Sequence, residues 1–184
     1  TPAYAILEEP DIERMSKLLG SNTKIIFLLR NPIERAWSSY KYKYDTKIFG
    51  ASNFDHAKTY LNSQEQLRRS NYSETIALYK KYFDSVFIGF FDAIPEKPKE
   101  LLKDIFEYLE LDTEEINTFS DLNQRVNTSE KIDTPLEIES ILNQLYEKQI
   151  EDLALSHGEY FNNWNNQKTS TIEKSYTWKA SIII

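Results

Sequence analysis

The chain has 184 residues, 40% hydrophobic and 14% aromatic, which suits one compact domain with an ordinary apolar core. Its 29 acidic and 22 basic residues leave a formal charge of −7, arguing against broad attachment to nucleic acid or to an anionic membrane face. The absence of cysteine excludes disulfides, thiol nucleophiles and thiolate metal sites from this chain; with His56 and His157 far apart, a zinc-type site is not expected either.

Along the chain, Pro10-Asp11-Ile12-Glu13 begins a short amphipathic helix that is expected to end near Leu19, with Gly20 as its left-handed terminator. Residues 24–29, Lys-Ile-Ile-Phe-Leu-Leu, form an apolar run too continuous for a strand with one wet face, and predict a strand buried on both faces of a parallel sheet. Asn31-Pro32-Ile33-Glu34 opens the next helix with three signals: Asn as cap, Pro at the first helical position, and Glu three residues after the cap. That helix should run to about Tyr44. Its tyrosines at 40, 42 and 44 cannot share one face and read as mixed core and surface.

Residues 50–53 read as a loop, 54–69 as one mostly polar helix, and 73–82 as a helix capped by Ser73 with Ile76, Leu78 and Tyr79 inward. Residues 85–91 are a second buried-strand candidate. Pro95 and Pro98 punctuate its exit, and residues 100–109 carry Leu101, Leu102, Ile105 and Phe106 at helical spacing. Residues 127–135 read as a loop, and 136–155 as a long amphipathic helix with Ile138, Ile141, Leu142, Leu145 and Leu153 on its apolar stripe, ended by Gly158. The polar tail at 165–184 shows no periodicity before its last three isoleucines and is expected to be loosely ordered. Strands alternating with helices predict an α/β fold, a three-layer parallel sheet flanked by helices. No apolar stretch is long enough to span a bilayer.

In such folds ligands bind beyond the carboxyl ends of the strands, where helix N-termini present unpaired N–H groups. Arg30 ends the first strand there, and its planar fork suits bidentate contact with phosphate. Ser38 lies seven residues after the cap Asn31, about two turns, so it falls near the same helix face and its hydroxyl can share the ligand. The apolar Ile33, Ala36 and Trp37 are expected to hold this helix against the sheet.

Residues 24–40, Lys-Ile-Ile-Phe-Leu-Leu-Arg-Asn-Pro-Ile-Glu-Arg-Ala-Trp-Ser-Ser-Tyr, closely resemble the 3'-phosphate-binding element of sulfotransferases that use 3'-phosphoadenosine 5'-phosphosulfate (PAPS). The resemblance implies that Arg30 and Ser38 hold the 3'-phosphate of the nucleotide. It extends to Thr1-Pro2-Ala3-Tyr4, which is similar to a segment of heparan-type and bacterial members, and to residues 85–94, Pro98 and 106–111. There Asp92 stands near the family's usual Glu, and Glu110 replaces its Gly. Residues 125–133 resemble the loop that closes over the 3'-phosphate side, which implies donors at Asn127, Ser129 and Lys131, although the family's Lys-Gly-Arg form is absent. Gly158 and Trp164 are similar to the family's ending, so the resemblance covers residues 1–164 as the sulfotransferase domain, with the P-loop-NTPase-like sulfotransferase fold implied.

The family's Gly-rich 5'-phosphosulfate loop has no counterpart, since the four glycines at 20, 50, 89 and 158 never cluster. The general base also usually lies in that upstream part, so catalytic residues are not assigned. With Thr1 opening the chain and no leader before it, we expect the chain to be N-terminally truncated and to carry the C-terminal two-thirds of the domain. The function implied is transfer of a sulfuryl group from PAPS to an acceptor hydroxyl or amine on a carbohydrate or small molecule, releasing 3',5'-bisphosphate, with no metal required. Charge and hydropathy argue for no nucleic-acid partner and no membrane segment in this chain, and the absence of cysteine and of a leader leads us to expect a cytoplasmic location. Two other readings stay open: a P-loop-type nucleotide kinase relative, and a non-catalytic sulfotransferase-like module that binds a partner.

Overall fold

The computed structural model describes residues 2–45, 54–122, 134–157, 161 and 164. In chain order the elements are a 3-10 turn (Pro2–Ile6), α1 (Glu9–Leu19), β1 (Ile25–Leu29), α2 (Pro32–Asp45), α3 (Phe54–Leu61), α4 (Gln64–Ser70), α5 (Tyr72–Tyr82), β2 (Val86–Phe90), α6 (Ala93–Glu96), α7 (Pro98–Leu109), a second 3-10 turn (Thr113–Thr118) and α8 (Leu136–His157). They divide into two units: one holds the described residues of 1–8, 31–77 and 133–177, the other those of 9–30 and 78–132.

In the second unit β1 and β2 pair in parallel, with Ile25 opposite Val86 and Leu29 opposite Phe90. β1 is Ile-Ile-Phe-Leu-Leu and β2 is Val-Phe-Ile-Gly-Phe, both rich in the β-branched and aromatic residues that a pleated pairing favours. The Phe91 N–H extends the ladder by donating to the Leu29 carbonyl at 2.7 Å. Gly20, at φ 92°, ends α1 as its sequence position predicts, with its N–H on the Ser16 carbonyl at 2.8 Å. The apolar face of α7 packs on β2, where Phe87, Ala93, Leu101 and Tyr108 form a buried cluster joined by Ile26, Ile105 and Leu109.

Tyr108 also ties the strand starts together. Its hydroxyl donates to the Ile25 carbonyl at 3.1 Å and pairs with Ser85 Oγ at 3.0 Å. The helix then ends on Glu110 in the left-handed region, φ 60° and ψ 35°. The Glu110 N–H reaches the Glu107 carbonyl at 3.1 Å and the Leu111 N–H the Phe106 carbonyl at 2.9 Å, a Schellman closure that glycine usually serves. Lys24 Nζ donates both to the Tyr108 carbonyl at 2.8 Å and to Glu110 Oε1 at 2.7 Å, which fastens this turn to the start of β1.

The sheet corrects one expectation. Leu29 is buried, but Leu28 is 43% exposed and the rest of β1 only half-buried, so β1 is not covered on both faces. An apolar run carries no record of its neighbours, and among the described residues the single ladder partner of β1 is β2. The strand that is buried nearly throughout is β2.

In the first unit, α2 packs against α3, α4 and α8. The helix expected over 54–69 is two helices, because Ser63 caps α4 with its hydroxyl accepting from the Gln66 N–H at 3.4 Å. Ser63-x-x-Gln66 is a capping-box spacing, and it interrupts the polar run without Gly or Pro. Ser73 does not cap the next helix: α5 begins at Tyr72, the Thr75 N–H bonds the Asn71 carbonyl at 3.1 Å, and the Ser73 hydroxyl is buried within the first turn. The buried stripe of α8 is Ile138, Leu142, Tyr146, Ile150 and Leu153, so Tyr146 and Ile150 take the places expected of Ile141 and Leu145.

Candidate functional site

Arg30 is the first residue beyond β1, at the carboxyl end of the parallel pair. Since Leu29 faces Phe90, the register brings the next residues, Arg30 and Phe91, side by side. The guanidinium carbon of Arg30 lies over the Phe91 ring, 4.9 Å from its centroid, and the ring is 40% exposed. A cation over an aromatic face is held by the ring quadrupole, and a guanidinium still donates in its own plane. Arg30 is thus a half-buried, oriented cation at the sheet end where α/β folds receive anions.

In the first unit the predicted cap is present. Asn31 is 1% exposed, and its Oδ1 accepts from the Ile33 N–H at 2.9 Å while its carbonyl accepts from Arg35 N–H at 2.8 Å. Its Nδ2 donates to the Trp164 carbonyl at 3.4 Å, and Trp164 is itself buried edge-on against Phe161 and Tyr72. Two turns on, α2 carries adjacent hydroxyls with different fates. Ser39 pairs with the Tyr60 hydroxyl at 2.8 Å, whereas Ser38 is half-buried and its side chain bonds none of the described residues. Tyr40 is buried and Tyr42 is 70% exposed, the mixed pattern expected of that run.

Arg30 therefore belongs to the second unit and Ser38 to the first. Asn127, Ser129 and Lys131 lie outside the described residues, as does the tail at 165–184. Three features escaped the sequence reading: Phe91 under Arg30, the Lys24–Glu110 clasp, and a buried cluster in which Arg35 donates to Gln66 and Ser70. Strand register would have suggested Phe91; the partners of Arg35 lie 31 and 35 residues away and carry no local signal.

Glu9, Glu65 and Glu110 are held below the usual carboxylate range by hydrogen bonds from Lys81, Arg69 and Lys24 respectively, and Asp104 is raised by partial burial and then by Glu107. Among the described residues no three His, Cys, Asp or Glu side chains gather into a metal-binding group, and no helix is long and apolar enough to cross a membrane.

The sulfotransferase domain family matches residues 12–173, and the chain belongs to that family. The crystal structure of a sulfotransferase from Alicyclobacillus acidocaldarius is similar in fold, with a TM-score of 0.63 at 17% identity over 85% of this chain. The chain spans 63% of that structure's length. No curated protein sequence matches it. The fold is a mostly helical α/β arrangement with a small parallel sheet, of the sulfotransferase type.

Proposed function

We propose that this chain carries the 3'-phosphate-binding part of a PAPS-dependent sulfotransferase, which moves a sulfuryl group to an acceptor hydroxyl or amine of a carbohydrate or small molecule. The observation that carries the reading is Arg30, one residue beyond a parallel strand and set over Phe91. Ser38 supports it with a hydroxyl that no described residue engages. A guanidinium and a hydroxyl suit a phosphate that offers only acceptors. Asn127, Ser129 and Lys131 join the proposal as further donors, on the sequence resemblance alone. Residues 1–164 as the domain and a cytoplasmic location belong to the same reading.

When bound, PAPS supplies the activated sulfuryl group. The work of Arg30 and Ser38 lies at the other end of the nucleotide, where they set affinity and register rather than touch sulfur. Orientation of this kind lowers the barrier by holding the reacting atoms in line. A thermal-shift comparison tests the reading: adenosine 3',5'-bisphosphate should raise the melting temperature well above the effect of ADP or 5'-AMP at equal concentration. Equal shifts from all three nucleotides would sink it.

A further inference from the structure

A continuous run of hydrogen bonds in the first unit connects α4, through α3, to the residue beside Ser38. Arg35 donates from Nε and Nη2 to Ser70 Oγ at 3.0 and 2.7 Å, and from Nη2 to the Gln66 carbonyl at 3.1 Å. Its Nη1 donates to Gln66 Oε1 at 3.1 Å. A guanidinium has no acceptor, so Gln66 must turn its oxygen to Arg35, which leaves Nε2 to donate to the Tyr60 hydroxyl at 2.7 Å. Tyr60 then pairs with Ser39 at 2.8 Å. Gln66 and Ser70 are 1% and 0% exposed, so water cannot take over these contacts cheaply.

Arg35 and Ser39 are one turn apart on α2 and lie on one stripe of it. Both ends of the stripe are held, one by α4 and the other by α3, which fixes the rotation of α2 about its own axis. Successive helical residues are about 100° apart, so fixing Ser39 also fixes the direction in which Ser38 leaves the helix. Engagement of Ser39 by Tyr60 further decides which of two neighbouring hydroxyls is available to a ligand.

We infer that Tyr60, backed by Gln66 and Arg35, is a positioning residue for phosphate binding: it holds Ser39 inward and thereby presents Ser38. This rests on the assignment of Ser38 to the 3'-phosphate. Arg35→Ala would strand buried Gln66 and Ser70 and endanger folding, so the test uses Tyr60→Phe and Ser39→Ala, which keep the ring and the helix.

Each variant, with Ser38→Ala alongside, is titrated with adenosine 3',5'-bisphosphate and with 5'-AMP, which lacks the 3'-phosphate. Tyr60→Phe should weaken the bisphosphate about three- to tenfold and leave 5'-AMP unchanged, with a smaller loss of the same kind for Ser39→Ala. Losses shared equally by both ligands would mark a merely structural role and overturn the inference. If Ser38→Ala loses affinity while Tyr60→Phe and Ser39→Ala bind like the parent, this inference alone falls. If Ser38→Ala itself binds like the parent, the assignment of Ser38 falls and takes the inference with it.

Discussion

The guanidinium of Arg30 rests over the ring of Phe91, 4.9 Å from its centroid, because the parallel register of β1 and β2 carries both residues one step past the paired strands. Phe91→Ala should therefore loosen Arg30 and weaken adenosine 3',5'-bisphosphate about two- to fivefold, the range for an exposed cation–π contact. Phe91→Tyr should bind like the parent. Calorimetric titration checks both, and an unaltered Phe91→Ala affinity would remove Phe91 from the account.

Asn31 joins the start of α2 to Trp164. Asn31→Ala loses the cap on the Ile33 N–H and the donor to Trp164, and should cost about 1–2 kcal/mol of stability. A urea titration reads this as a lower midpoint at unchanged slope.

Glu110 occupies a left-handed turn position, φ 60°, for which glycine is preferred. Its pair with Lys24 is a surface one, with the Glu110 side chain 83% exposed. Glu110→Gly should raise the melting temperature, since the relief of the backbone outweighs the lost pair. Glu110→Ala should lower it, because the conformation stays unfavourable and the pair is gone. A drop for both would mean that the ion pair dominates.

Much of α2 was legible because its signals are local: Asn31, Pro32 and the spacing to Ser38 all sit within a few residues. The division of α3 from α4 was also written locally, in Ser63 and Gln66, but a polar run without Gly or Pro hid it. The left-handed turn at Glu110 was legible only through the resemblance, which puts a glycine at that position; the glutamate side chain itself gives no sign of that conformation. The exposure of Leu28 and the partners of Arg35 depend on which elements lie alongside, and an apolar run or a lone arginine holds no record of that.

Stability should also depend on pH through two opposed effects. Glu9, Glu65 and Glu110 have folded-state values below the ordinary carboxylate range, so their contribution is present above that range and lost as pH falls through it. Asp104 is shifted upward by burial, so the folded state binds its proton more tightly and stability falls as pH rises through its range. Asp104→Asn should thus gain stability at pH 7, by less than about 1 kcal/mol given its exposure, and should gain little near pH 3. Urea unfolding of both proteins from pH 3 to 7 tests the sign.

The central claim is that Arg30 binds the 3'-phosphate of an adenine nucleotide. Calorimetric titration of adenosine 3',5'-bisphosphate, with ADP as the comparison ligand, tests it on the parent chain and on Arg30→Ala. The parent should bind the bisphosphate selectively, and Arg30→Ala should lose about 1.5–3 kcal/mol, roughly 10- to 150-fold in affinity. Equal affinity of the two proteins for the bisphosphate, with both shown to be folded, would contradict it.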